Sequence, residues 1–319
     1  MTAKQFGPKG WSPERLPDLS DTTYVITGGN SGIGYEAARM LGEKGARVTI
    51  LCRNEDKARA AVQTLKAKAP AGTFDFVRLD LASLASVREA ADAVRAKHAQ
   101  IDALVNNAGL MMIPNRQLTE DGFEMQFGVN HLGHFALSGL LSDVVEASGG
   151  RFVSLASVAH KYARGLRFDD LMFDRGYRPV PVYCHSKLAD LVFSQDLNRR
   201  LEQHGKAARA VACHPGYSAT NLQSTGPGGL MATMMKPMTA VFSQSAVKGA
   251  VPTVLCAAGA EADAGAYYGP TGFQDFSGPV DRAAMTRAAR DAEAGEKLWT
   301  ASEELTGVSW PIFEKATAA

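Results

Sequence analysis

The sequence predicts an α/β protein, a doubly wound parallel sheet with helices on both faces, and three observations carry that prediction. Short β-rich runs alternate with helical segments from Thr22 onward. A glycine cluster, "TGGNSGIG", stands directly between the first strand and the first helix. No composition break or internal repeat divides the chain. Strands alternating with helices of this length form right-handed βαβ units, whose helices cover both faces of a parallel sheet.

Taken in order, "TYVITGG" is a strand that ends in glycines, and "SGIGYEAARMLGEKG" is a helix closed by Gly45. "ARVTILCR", "NEDKARAAVQTLKAKAP" and "TFDFVRLD" follow as strand, helix and strand. "SLASVREAADAVRAKH" is a helix with Ser83 at its N-cap, where a hydroxyl accepts from an otherwise orphaned N–H. "IDALVNNAG" and "GRFVSLAS" are strands, "VYCHSKLADLVFSQDLNRRLEQHG" is a long helix, and "ARAVACHPG" is a further strand. Two segments break the rhythm. Residues 158–182 are too long for a standard strand-to-helix connection, and residues 217–245, rich in Gly, Pro, Ser and Met, read as a substrate lid. Both follow strand C-terminal ends, the edge at which open α/β sheets bind ligands.

The bulk numbers exclude several function classes. Lys+Arg number 34 and Asp+Glu 33 in 319 residues, a balance that gives no electrostatic case for nucleic acid. The four cysteines, Cys52, Cys184, Cys213 and Cys256, form no C-x-x-C pair and read as reduced thiols. No apolar run approaches the length of a membrane span, and the N-terminus lacks a signal-like apolar stretch, so the expected address is the cytoplasm.

Gly28, Gly32 and Gly34 occupy the strand–turn–helix context of a dinucleotide site. Glycine allows the tight turn and a close backbone approach to a pyrophosphate, which the helix N-terminus attracts. The loop is not a P-loop, because no Lys-Ser/Thr follows its last glycine. An NAD-selective site usually carries a carboxylate at the end of the second strand, to bond the ribose 2′-hydroxyl. This chain has Cys52 and then Arg53, which suits a 2′-phosphate and predicts NADP(H) over NAD(H).

Tyr183 and Lys187 stand four apart in the long helix and so share a face. Hydride reduction of a carbonyl puts negative charge on its oxygen, and a phenol can donate the proton if a nearby cation lowers its pKa. Lys187 is placed to do so, and Ser157, at a strand end, can supply a second hydrogen bond to the oxyanion. His131 and His134, three apart, have no third ligand at metal spacing and read as packing histidines. Cys184 reads as a packing thiol.

Thr27-Gly28-x-x-x-Gly32-Ile33-Gly34, "NNAG" at 106–109, Asn130, Ser157, Tyr183 and Lys187 together resemble the short-chain dehydrogenase/reductase family over about residues 20–270. "NHLGHF", "SVAH", "YCHSKLA" and "HPG" are most similar to its retinol-dehydrogenase-like and protochlorophyllide-reductase-like branch. The resemblance implies one Rossmann-type domain, here residues 21–290, with about seven strands. Residues 1–20 and 291–319 would be extensions, with the lid at 217–245. It implies Tyr183 as general acid/base, Lys187 as its activator, Ser157 positioning the substrate oxygen, and Asn130 holding a water. Ala156 precedes Ser157 where many relatives have a second serine, so Ser154 stands as a rival.

The implied cofactor residues are Gly28, Asn30, Ser31, Gly32, Ile33, Gly34, Arg53, Asn54, Asp80, Leu81, Asn107, Ala108, Gly109, Tyr183, Lys187, Pro215, Gly216 and Thr220. Relatives pair through helices around 119–147 and 183–203, which implies a homodimer or homotetramer.

The function expected is therefore NADP(H)-dependent interconversion of an alcohol and a carbonyl on a bulky, apolar substrate. The Met-rich stretch 231–238 suggests that substrate class as a lipophilic lid, a membrane-touching helix or a loop packed on the core. The absence of an N-terminal apolar anchor, which membrane-anchored retinoid enzymes carry, argues against retinol itself. Reduction of an activated C=C bond and non-catalytic NADP(H) sensing are the alternatives. The latter has no need of Tyr183, Lys187, Ser157 and Asn130 together.

Overall fold

The computed structural model describes residues 4–217 and 245–313. Strands β1 (Thr23–Thr27), β2 (Arg47–Cys52), β3 (Thr73–Arg78), β4 (Ala103–Asn106), β5 (Arg151–Leu155), β6 (Arg209–Cys213), β7 (Tyr267–Pro270) and β8 (Val280–Arg282) form one sheet. Its order is β3-β2-β1-β4-β5-β6-β7-β8, parallel throughout except for the antiparallel β7–β8 pair. The sheet thus has eight strands where about seven are expected. The additional strand is a three-residue edge piece held by a short return from β7, and its composition carries no strand signal of its own.

Helices α1 (Gly32–Gly42), α2 (Glu55–Lys68) and α3 (Leu84–Lys97) fall where the apolar periodicity places them. Asn54 caps α2 by accepting from the Lys57 N–H at 2.8 Å, and Ser83 caps α3. Helix α4 (Gly133–Leu140) is reached through a short turn at Met125–Phe127 and a π-helical stretch, Gly128–Leu132. The expected continuous helix over 119–147 is therefore broken, and Asn130 sits inside its irregular part, a placement common at functional sites. A one-turn helix, Ser142–Glu146, follows α4; helix α5 (Pro179–Gln203) starts with proline at its first turn, and α6 (Ala246–Ala258) and α7 (Ala292–Thr306) come after it.

Two apolar cores lie on the two sheet faces. One packs Phe127, Phe135, Phe152, Leu188 and Leu191 with Trp299 and Trp310, so α7 and the residues after it belong to the body of the fold. The other joins Ile26, Ile50 and Val254 to Trp11, Leu16 and Leu19 from the N-terminal segment, where Trp11 also bridges to Val280. Both flanking segments seal a core face that the βαβ pattern alone leaves uncovered. The switch in strand order, where the chain leaves β3 at one edge and re-enters beside β1 as β4, opens a crevice at the strand C-terminal ends.

Candidate active site

The crevice begins at the glycine loop. Gly28 and Gly32 have φ of +66° and +57°, which side-chain-bearing residues rarely adopt. A Cβ on Gly34 would lie 2.5 Å from Asn107 Nδ2 and 2.7 Å from the Gly28 carbonyl, so the loop, α1 and the end of β4 close up only with glycine there. Ser31 stands at the N-cap of α1 without a side-chain cap bond, leaving the first N–H groups of an eleven-residue helix open to an anion. The Asn107 Oδ1 is buried with no partner among the described residues.

One oxygen ties this loop to the next. The Asn107 and Ala108 N–H groups both donate to Thr27 Oγ1 at 2.9 Å, and Asn107 Nδ2 donates to the Thr27 carbonyl at 2.7 Å. His134 Nδ1 donates to the Asn130 carbonyl at 2.8 Å, which leaves Nε2 to accept from the Thr27 hydroxyl at 2.9 Å. Burial holds His134 neutral, lowering its pKa to about 4. His131 Nε2 lies 2.8 Å from Ser302 Oγ, and its ring packs against Phe127 and Phe193.

Two cavities meet at Gly109. The first is lined by Thr27, Gly28, Asn30, Cys52, Arg53, Asp80, Leu81, Ala108 and Gly109. Arg53 is three-quarters exposed at its mouth and 3.8 Å from Asp80 Oδ2, a loose surface pair that costs little to give up to another anion. Asp80 Oδ1 accepts from the Ala82 N–H at 3.0 Å. Asn54, expected at this site, spends its side chain on the α2 cap and does not line the cavity. Open glycines, a free helix N-terminus and an orphaned amide oxygen fit a dinucleotide, with the Arg53 cation at the second-strand end beside it.

The second cavity, of about 300 Å³, collects the proton-handling residues. Its lining includes Ile33, Asn107, Gly109, Ser157, Tyr183, Lys187, Pro215 and Gly216. Met111, Met112, Val180 and Phe276 make much of the rest apolar. Ser157 lines it at the N-cap of a 3-10 turn, whereas Ser154 lies inside β5 and is not among the lining residues. Met112 holds a left-handed backbone with φ of 53° and donates its N–H to Gln126 Oε1 at 2.7 Å. Cys184 also lines this cavity, and burial raises its thiol to about 11, so it stays protonated. Thr220 and the expected lid, including 231–238, lie outside the described residues.

Tyr183 and Lys187 share one face of α5, as four-residue spacing requires. Burial opposes Lys187, which pulls the Tyr183 pKa down as its placement implies. Burial raises the Tyr183 pKa, and it outweighs the opposing pull of Lys187 and of the Ser157 hydroxyl. Lys187 Nζ donates to the Leu155 carbonyl at 2.8 Å and to Asp190 Oδ2 at 2.9 Å, a buried ion pair one turn along α5 that the sequence reading did not single out. An acid three residues after the lysine was the available signal. Asn130 is committed to the loop beside the site: its Oδ1 accepts from Leu110 N–H at 2.7 Å, and its Nδ2 donates to the Leu110 carbonyl and Ser186 Oγ. No group of three or more metal-type side chains occurs among the described residues.

The short chain dehydrogenase family pattern matches residues 22–227. Retinol dehydrogenase 13 of Homo sapiens is 38% identical over 314 residues, covering 97% of this chain and 91% of its own. The short-chain dehydrogenase TIC 32 B, chloroplastic, of Brassica napus is 38% identical over 248 residues, 75% of this chain and 77% of its own. Among solved structures, an uncharacterised protein from Mycobacterium paratuberculosis superimposes with a TM-score of 0.79 at 38% identity, covering 95% of this chain and 99% of that one.

Proposed function

The chain belongs to the short-chain dehydrogenase/reductase family, on its retinol-dehydrogenase-like branch, and from that premise we propose that it is an NADP(H)-preferring oxidoreductase interconverting an alcohol and a carbonyl on a bulky, apolar substrate. The observation that carries the proposal is the second cavity: a largely apolar chamber that brings Tyr183 together with Lys187 and Ser157. When bound, the nicotinamide supplies or accepts the hydride. Tyr183 gives its phenolic proton to the carbonyl oxygen as that oxygen gains charge, and takes it back in the oxidative direction. Ser157 donates a second hydrogen bond to the same oxygen and orients it toward Tyr183. Lys187 stabilises the phenolate that Tyr183 leaves behind. Asn130 fixes the Gly109–Leu110 backbone that floors both cavities, and its carbonyl retains a lone pair for a water leading toward Lys187. Arg53 meets the 2′-phosphate by exchanging its loose contact with Asp80. The Met111–Met112 wall adapts to large apolar groups, because unbranched thioethers repack at little cost.

No described helix is long and apolar enough to cross a membrane. We place the protein in the cytoplasm, as a homodimer or homotetramer.

The test is NADPH oxidation with a panel of bulky aldehydes, ketones and enones, run on wild type and Tyr183→Phe side by side. Turnover of aldehydes or ketones that falls by about a thousandfold in the mutant is expected for loss of the general acid. Tight NADPH binding with no turnover of any substrate would instead identify a sensor, and turnover confined to enones would identify a C=C reductase.

A further inference from the structure

The ion pair behind the catalytic tyrosine is built at a cost. Lys187 and Asp190 are both buried, with side-chain exposures of 7% and 8%, and they meet at 2.9 Å. Burial raises Asp190 to about 6 against the pull of Lys187. Burial would push Lys187 down, yet Asp190 and Tyr183 hold it above its ordinary value. At neutral pH the pair is therefore ionised, with the carboxylate bearing the desolvation cost. A lysine that needed only a place to rest could keep the Leu155 carbonyl and dispense with a buried acid.

We infer that Asp190 is a positioning residue for the Tyr183–Lys187 pair: its carboxylate fixes the Lys187 ammonium against β5 and keeps the pair in its fully protonated, proton-donating form. The inference rests on the general-acid role given to Tyr183 above.

The other titratable groups facing the pair do not substitute for Asp190. From α5 itself, Cys184 stays a thiol. From α4, His134 is held neutral. From β7, burial drives Tyr267 far above its ordinary value. Cys213, from β6, faces Lys187 as the remaining neighbour. Among the described residues, Asp190 is the one carboxylate paired with Lys187. Removing an anion makes proton loss easier for every group around it. The first proton of the coupled pair must then leave at lower pH, from whichever partner it departs.

The experiment titrates the full chain by near-ultraviolet tyrosinate absorbance, subtracting for each background the same protein carrying Tyr183→Phe. In Asp190→Asn the Tyr183 tyrosinate midpoint should move by about one pH unit, a roughly tenfold change in ionisation constant: downward where Tyr183 loses the first proton, upward where Lys187 loses it first and no longer supports the phenolate. The alkaline fall of kcat/KM for NADPH-dependent reduction should move down in either case, while NADPH affinity stays within about twofold. Asp190→Ser, also neutral and smaller, serves if the asparagine variant does not fold. A midpoint and an alkaline limb that both stay put in a folded neutral variant overturn the inference. The two readings fail separately. A midpoint that moves in a chain without turnover supports the Asp190 pairing while sinking the catalytic role of Tyr183. Turnover lost in Tyr183→Phe with midpoint and alkaline limb both unmoved sinks the Asp190 role alone.

Discussion

Replacing Thr27 by valine keeps the volume of the side chain and deletes one oxygen. That oxygen accepts from two backbone N–H groups, Asn107 and Ala108, and donates to His134 Nε2, with Thr27 wholly buried. A buried donor left without an acceptor costs about 1–3 kcal/mol. Asn107 is nearly buried and takes the larger share, whereas Ala108 lines a cavity that water can enter and takes the smaller. Adding the stranded imidazole nitrogen, the loss is about 3–4 kcal/mol. A chain of 319 residues unfolds with roughly 0.7 kcal/mol per degree of entropy, so the melting temperature should drop by about 5 °C.

Thermal unfolding read by circular dichroism, beside NADPH binding by fluorescence, checks this. Thr27→Ser, which keeps the oxygen and loses a methyl, should cost about 1 kcal/mol and retain NADPH binding. Thr27→Val should lose affinity as well as stability, because the Asn107–Gly109 backbone it releases walls both cavities. A Thr27→Val protein that melts within a degree of wild type refutes the reasoning. So does a serine variant as damaged as the valine one, since the methyl rather than the oxygen would then be what matters.

Arg53→Asp should reverse the cofactor preference, lowering the NADPH-to-NADH ratio of kcat/KM by about tenfold or more, and an unchanged ratio would place the 2′-phosphate elsewhere. Stability should also fall steeply in mild acid. Burial depresses His131 and His214 to about 3, and His134 and His185 to about 4, so the unfolded chain takes up protons below pH 6.5 that the fold refuses. The stability these four contribute is fully present above 6.5 and lost as pH falls toward 4. By pH 5.5 the loss is about 4–6 kcal/mol, only partly offset by Asp190, whose raised pKa works the other way. Urea midpoints at pH 7.5, 6.5 and 5.5 read this directly, and a flat series would show that the fold accommodates the protonated imidazoles with acceptors for both ring N–H groups.

Local pattern made the sheet legible. Each βαβ unit announces itself by a change of period, and Gly28, Gly32, Gly34 and Asn54 mark helix starts that β1 and β2 feed directly. What escaped needed partners distant in sequence. The β8 strand exists because β7 offers it an edge, and the π-helical stretch around Asn130 exists because that residue clamps Leu110 twenty positions away. No periodicity reports either. The Tyr183–Lys187 pair was legible because four-residue spacing guarantees a shared face. The burial that opposes Lys187 there was not, because spacing gives proximity and says nothing of depth.

That distinction shapes how the site works. A lysine alone beside a buried phenol would pull it toward phenolate, which suits proton abstraction from an alcohol. Burial and the Asp190 carboxylate push the other way, toward the phenol, which suits proton donation to a carbonyl. The same pair serves both directions of a reversible reaction, and the group behind the lysine sets the pH range over which the phenol keeps its proton. In this chain that group is an acid held in a nearly dry position, on a helix packed against the core formed by Leu188, Leu191 and Trp299. The placement of the pair is thus carried by the rigid part of the fold.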